Sequence, residues 1–123
     1  MSELINQRVL LVEDSPVVSL DTEEMLREWG CIVLGPATNM AAALQLSDEE
    51  LDGAIVDINI RGGKAFPLLK ILDNRAVPFL LTSGYADWSM PAEWRDRPRL
   101  TKPYTASALR QSLLDLLTNS AGR

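Results

Sequence analysis

The sequence predicts an α/β sandwich in which a parallel five-stranded sheet lies between two layers of helices. Three observations carry this reading: short apolar runs alternate with segments of helical period, two of those runs are apolar at consecutive positions, and the chain is long enough for one substantial core. The runs are Val9–Val12, Ile32–Leu34, Ala54–Ile58, Val77–Leu81 and a weaker fifth at Arg99–Thr101. Ala54-Ile55-Val56 and Phe79-Leu80-Leu81 offer apolar side chains to both faces, as strands covered on each side require, so the centre of the sheet belongs there. With 123 residues, 46% hydrophobic and 24% charged, a single domain spanning 1–123 buries enough surface to fold without a metal or disulfide clamp.

The helices follow from their punctuation. Ser15 can cap the first, Pro16 suits its first position, and Gly30 follows its end after Trp29, with Val18, Met25, Leu26 and Trp29 expected to face the sheet. A second begins after Asn39, with Thr38 as a competing cap, and runs through Ala41-Ala42-Ala43-Leu44 to about Ser47. The third covers Phe66 to about Asp73, with Pro67 in its first turn. Between Ser83 and Arg99, Pro91 and Pro98 interrupt a segment that also holds Trp88 and Trp94, so the fourth helix should be short or irregular. The fifth runs from a Thr105 cap through Leu109, Leu113 and Leu116. No repeat, linker or low-complexity tract divides the chain, and no output domain is expected.

Composition removes several function classes. Lys plus Arg number 12 against 17 for Asp plus Glu, and the resulting charge of -5 opposes a phosphate backbone, so nucleic acid is not an expected direct partner. The single Cys31 lies in the apolar run Cys31-Ile32-Val33-Leu34, which suits a buried thiol in a reducing cytoplasm. No stretch has the apolar length of a membrane span, and Met1-Ser2-Glu3 lacks the basic start of a secretory signal, so the expected location is cytoplasmic. Histidine is absent, which excludes His-dependent triads, His zinc sites and a histidine phosphodonor within this chain.

Polar chemistry must then use carboxylates, hydroxyls and lysine. Glu13-Asp14 follows the first strand and Asp57 the third, at the carboxyl ends where open α/β sheets form ligand sites. Three neighbouring carboxylates repel one another unless a cation neutralises them, and hard oxygen ligands favour Mg²⁺. Taken alone, Glu13-Asp14 also fits a strand-to-helix turn, where negative charge complements the next helix. Asp57 is harder to explain away, because a carboxylate ending an apolar central strand is poorly solvated outside a polar site. Ser83-Gly84 ends the fourth strand with a hydroxyl that can serve an oxyanion, or with a plain turn. Lys102-Pro103 ends the fifth with either a positive charge for a phosphoryl group or a snorkelling surface lysine. All four features fall at the same end of the sheet, and the combination is far more specific than its parts.

On these residues the chain resembles the receiver domain of two-component response regulators over nearly its whole length. The resemblance implies a flavodoxin-like (βα)5 three-layer sandwich with strand order 2-1-3-4-5. Pro78-Phe79-Leu80-Leu81-Thr82-Ser83-Gly84-Tyr85 is further similar to the Pro-Phe-x-Phe-Ala-Thr-Gly-Tyr signature of a subgroup of mostly stand-alone receivers, with departures at Leu81, Thr82 and Ser83. It implies Asp57 as phosphoacceptor, with Glu13, Asp14 and the Asn59 carbonyl arranging Mg²⁺ directly or through water. Ser83 and Lys102 would hold the phosphoryl oxygens. The implied donor is a phosphohistidine on a sensor histidine kinase, in this subgroup often of a variant class. The implied product is a regulator that assists its own phosphorylation and dephosphorylation rather than an enzyme. Its output would be protein contacts or onward phosphotransfer. Whether a second copy docks through the first or fifth helix stays open.

The resemblance also marks departures. Many receivers carry an aromatic three residues before the lysine, whose inward rotation reports phosphorylation, but here that position is Arg99. Thr82, Tyr85 or the Trp88–Trp94 segment would then serve as the switch. Asn59 and Tyr85 occupy positions that tune phosphoryl lifetime, and Arg61-Gly62-Gly63 stands where a proline is common, which should loosen that loop. The leading alternative is a pseudo-receiver that docks without being phosphorylated. A small Mg²⁺ phosphohydrolase is disfavoured because the related haloacid-dehalogenase motif needs Asp where this chain has Asn59. A flavin-binding reading is disfavoured because Glu13-Asp14 would repel a phosphate from the first loop.

Overall fold

The computed structural model describes residues 3–61, 63–84 and 90–121, the last three as backbone. Its main sheet is formed by β1 (Arg8–Val12), β2 (Ile32–Ala37), β3 (Gly53–Asp57), β6 (Phe79–Ser83) and β7 (Arg99–Thr101). All neighbours are parallel, in the order β2-β1-β3-β6-β7. That is the expected 2-1-3-4-5, because β4 (Asn59–Ile60) and β5 (Gly63–Lys64) form a separate antiparallel ladder. The helices are α1 (Pro16–Glu28), α2 (Met40–Leu46), α3 (Phe66–Asn74) and α4 (Ala106–Ala121).

Strand alternation divides the core into two. Leu10, Val12, Ala54, Val56, Phe79 and Leu81 point to the side of α2 and α3, where Ala43, Leu68, Leu69 and Leu72 meet them. Val9, Leu11, Ile55 and Leu80 point the other way, onto Leu26 of α1 and Leu109, Leu113 and Leu116 of α4. Consecutive apolar residues are therefore needed at β1, β3 and β6, since each face has its own helix layer to bury. Burying each of these large side chains contributes roughly 1.5–3 kcal/mol.

The caps behave as their chemistry dictates. Ser15 Oγ accepts the Val18 N–H at the start of α1, and Asn39, not Thr38, caps α2 by accepting the Ala42 N–H at 2.8 Å. Gly30 has φ +90, a left-handed backbone that ends α1 as expected. The buried stripe of α1 is Ser19, Thr22 and Leu26; Met25 and Trp29 pack beside it, and Val18 is half-buried. Strand limits differ from the sequence reading at four places: β1 begins one residue earlier, at Arg8, β2 runs on to Ala37 instead of ending at Leu34, and β6 and β3 are trimmed. β6 starts at Phe79 because the Val77 N–H turns back to Leu72 O and Pro78 has no N–H to give. β3 ends at Asp57 because Ile58 O accepts from Ala65, closing the following loop.

Among the described residues between β6 and β7, the only helical element is a 3-10 turn, Ala92–Trp94. Met90 and Trp94 are buried on the α3 side, where the Trp94 ring meets Phe79 edge-on at 6.1 Å. The Arg97 guanidinium lies over both rings and forms a two-bond pair with Asp73. The irregular fourth connection is thus fastened by side chains where a regular helix is lacking among the described residues. Tyr85 and Trp88 lie outside the described residues.

The strand order also sorts charge. Residues 1–57, which build β2, β1, β3, α1 and α2, contain 12 acids and 2 bases, whereas residues 58–123, which build β6, β7, α3 and α4, contain 5 acids and 10 bases.

Candidate functional site

Four parallel strands deliver polar residues to one end of the sheet. Glu13 and Asp14 follow β1, Asp57 ends β3, Ser83 ends β6, and Lys102 follows β7. The register aligns them: Val12 pairs with Val56, Asp57 with Thr82, and Ser83 with Thr101. The Lys102 N–H donates to Ser83 O at 2.7 Å, which ties the hydroxyl-bearing strand end to the lysine.

One carboxylate oxygen from each of Glu13, Asp14 and Asp57 lies within 4.8 Å of the others. Glu13 and Asp57 are each 2% exposed. Lys102 Nζ donates to Asp57 Oδ2 at 2.9 Å and to Glu13 Oε1 at 3.2 Å and Oε2 at 3.3 Å. Two further carboxylate lone pairs are used locally. Asp57 Oδ1 accepts the Asn59 N–H at 3.0 Å, and Glu13 Oε2 accepts the Ser15 N–H at 3.0 Å, which joins the cluster to the start of α1.

Three acids and one lysine leave an excess of two negative charges if all are ionised. Burial pushes Glu13 above the usual carboxylate range; the Ser15 N–H and Lys102 oppose that shift, and the charge on Asp57 adds to it. Burial disfavours the Lys102 ammonium, yet the hydrogen bond and charge of Asp57, followed by Glu13, hold its pKa above the ordinary lysine value. The donor set is all oxygen, grouped within one coordination sphere and short of positive charge, which fits a hard divalent cation such as Mg²⁺.

The structure thus brings together Glu13, Asp14, Asp57, Ser83 and Lys102, with Thr82 buried in register beside Asp57 and Asn59 two residues beyond it. It does not bring Arg99 to them. Arg99 is exposed on β7, opposite Leu81, and lines a groove of about 890 Å³ at the other end of the sheet with Arg97, Asp73, Asp115 and Phe79. Tyr85 lies outside the described residues.

Two features escape the sequence reading. The segment after Asp57 carries a short ladder of its own: β4 pairs with β5, the Ala65 N–H closes on Ile58 O at 2.8 Å, and the Met40 N–H of α2 donates to Arg61 O at 3.0 Å. Tyr104, two residues after Lys102, shares a 2.7 Å hydrogen bond with Thr22 of α1, and this bridge has no local sequence signature.

No family model matches the chain. A curated relative, the transcriptional regulatory protein PdtaR of Mycobacterium tuberculosis, is 27% identical over 110 residues, covering 85% of this chain. The chain spans about half (54%) of that relative's length. The solution structure of SdrG from Sphingomonas melonis is 34% identical with a TM-score of 0.79, covering 94% of this chain and 98% of SdrG. The receiver domain of the sensor histidine kinase PA1611 from Pseudomonas aeruginosa, with magnesium coordinated in its active-site cleft, has the same fold. Its TM-score is 0.80 at 21% identity, covering 92% of this chain and 98% of that one.

Proposed function

Because the chain belongs to the receiver-domain family of response regulators, and so to two-component signalling, we propose that Asp57 accepts a phosphoryl group from a phosphohistidine on a sensor histidine kinase. The observation that carries this reading is the buried Asp57 carboxylate, grouped with Glu13 and Asp14 and held by Lys102 at the carboxyl end of β3. One Asp57 oxygen attacks phosphorus in line as the phosphorus–nitrogen bond to the donor imidazole breaks, leaving an aspartyl phosphate.

Each neighbour has a task in that step. Asn59 N–H and Lys102 orient the carboxylate before attack. Lys102 then follows the new negative charge onto a phosphoryl oxygen, and the Ser83 hydroxyl donates to another. Glu13, Asp14, Asp57 and the Asn59 carbonyl would hold Mg²⁺; the Pseudomonas aeruginosa receiver domain has a magnesium ion coordinated in its active-site cleft. Bound there, Mg²⁺ supplies the positive charge that offsets the developing phosphoryl charge. Rate enhancement on this account is positioning and electrostatics, with no proton transfer asked of a general base.

The reading extends to a cytoplasmic regulator acting through protein contacts or onward phosphotransfer. Val17 and Leu20 of α1, 71% and 56% exposed, stand close in sequence to Asp14 and offer apolar contact to a docking donor. Buried Thr82, in register with Asp57, is the switch candidate these contacts support best; Arg99 is remote from the site.

The test is intact mass after incubation with Mg²⁺ and acetyl phosphate, beside Asp57→Ala and a chelator control. One added phosphoryl group that is lost in both controls is expected. Absence of the adduct, with no change in Trp fluorescence on adding beryllofluoride, would replace this reading with a docking module that is never phosphorylated.

A further inference from the structure

Lys102 is tied to α1 from two directions. Its ammonium donates to Glu13 at 3.2 Å and 3.3 Å, and Glu13 Oε2 also accepts the Ser15 N–H at the start of that helix. Two helical turns further along, Thr22 Oγ1 lies 2.7 Å from the hydroxyl of Tyr104, which follows Lys102 by two residues. These contacts close a ring that runs from the ammonium through Glu13, α1, Thr22 and Tyr104 and back along the chain to Lys102. Thr22 is fully buried, so α1 offers the Tyr104 hydroxyl a dry, fixed partner. Burial raises the pKa of that hydroxyl above the ordinary tyrosine value and the Thr22 bond opposes the rise, while the charges of Glu13, Lys102 and Asp57 also reach it. Against the bridge and Lys102 lies a cavity of about 90 Å³, lined in addition by Val18, Asp21, Met25 and Pro103.

We propose that Tyr104, anchored on Thr22, is a positioning residue that holds the Lys102 ammonium over Asp57 and Glu13, where it competes with Mg²⁺ before phosphoryl transfer and meets a phosphoryl oxygen during it; the transfer half rests on the phosphoacceptor reading above. A lysine stem has many rotamers, and its tip stays in one place only if the backbone on both sides is fixed. The Lys102 N–H on Ser83 O at 2.7 Å fixes the side toward β7, and the Thr22–Tyr104 bridge fixes the other. Without the bridge, the backbone after Lys102 relaxes toward the cavity, and Asp21 on its wall gives the ammonium another acid to meet. Two effects of opposite sign follow. Carboxylate oxygens that the lysine leaves become available to Mg²⁺, so the metal binds more tightly. The phosphoryl group loses a placed cation, so transfer slows. With acetyl phosphate as donor, an Asp57 oxygen forms its bond to phosphorus while the phosphorus–oxygen bond to acetate breaks, and acetate leaves with the electron pair. A loss of general rigidity would weaken both.

The test uses the full chain and measures two quantities. Mg²⁺ affinity is read from the rise in urea-unfolding free energy across a Mg²⁺ series, and phosphoryl uptake from intact mass under saturating acetyl phosphate and Mg²⁺. Tyr104→Phe should lower the Mg²⁺ Kd about twofold or more and slow uptake about threefold or more. Thr22→Ser, which keeps the hydroxyl, should hold both near the wild type, and in a Lys102→Met background Tyr104→Phe should leave the Mg²⁺ Kd unchanged. The proposal is overturned if Tyr104→Phe binds Mg²⁺ no more tightly than the wild type, takes up phosphoryl at the wild-type rate, or shifts the Mg²⁺ Kd equally without Lys102. A wild type that takes up no phosphoryl group overturns the phosphoacceptor reading and the transfer half of this role, while the Mg²⁺ comparison still decides whether Tyr104 holds Lys102.

Discussion

Lys102→Met keeps an apolar stem of similar length and deletes the ammonium that lies 2.9 Å from Asp57 Oδ2 and 3.2 Å from Glu13 Oε1. At an effective dielectric of about 20, each of these contacts corresponds to an attraction of roughly 5 kcal/mol. The ammonium's own desolvation offsets part of that, and its 19% side-chain exposure admits some screening by water. What remains after the substitution is a pair of buried carboxylates with Asp14 beside them and no cation. The expected loss of unfolding free energy is about 2–4 kcal/mol, near the range for breaking a buried pair from one side. Mg²⁺ should restore much of it, since a divalent cation meets the same oxygens, and saturation at about 100 times its Kd adds roughly 2.7 kcal/mol. The wild type should gain less, because its lysine competes for Glu13 and Asp57. Urea unfolding followed by Trp fluorescence, with and without Mg²⁺ at neutral pH, reads both effects. A variant within about 0.5 kcal/mol of the wild type, or equal Mg²⁺ gains in both proteins, would refute the charge balance drawn here.

Three further outcomes follow from contacts elsewhere in the fold. Burial pushes the Cys31 thiol up from 9.0 to about 11, so the folded chain keeps a proton that the unfolded chain releases. Stability should therefore fall as pH rises through that window, by about 1–3 kcal/mol more in the wild type than in Cys31→Ala, measured by urea unfolding at pH 8 and pH 11. Tyr104→Phe strips the Thr22 hydroxyl of its partner in a buried setting and should cost about 1 kcal/mol, while Thr22→Val combined with Tyr104→Phe recovers most of it; additive losses would show that the pair does not interact. Asp73→Asn weakens the two-bond contact with Arg97 on a partly exposed surface, and an expected cost of about 0.5–1 kcal/mol should shrink in high salt.

The fold was legible wherever an element must satisfy one local rule. Val9–Val12, Ala54–Val56 and Phe79–Leu81 had to be apolar on both faces, and Ser15 and Asn39 had to cap, so periodicity and cap chemistry sufficed. The strand ends were displaced where a proline and a turn-back bond at Val77 intervened, a contest between α3 and β6 that no single window contains. Five of the site's polar residues were readable because parallel strands gather their carboxyl ends, which turns residues from four separate strand ends into one constellation. Lys64 was not readable, since its partnership with Asn59 exists only once the β4–β5 ladder sets the two opposite each other. Thr22 and Tyr104 lie 82 residues apart and meet through the packing of α1 beside the loop after β7.

The split of acids and bases between the two halves of the sheet makes this molecule an electric dipole as well as an anion. Its long arm runs across the strands, from the β2 edge to the β7 edge, whereas the carboxylate cluster sits at the strand ends, perpendicular to that arm. An approaching charged surface therefore exerts a torque before any contact forms, and the torque settles which flank leads while leaving the mouth of the cluster free to face sideways. Such steering acts over about one Debye length, near 8 Å at physiological salt, so it governs how often an encounter begins in a usable orientation more than how long it lasts. For a small domain with little room for specific contacts, arriving already turned is an advantage that strand order alone confers.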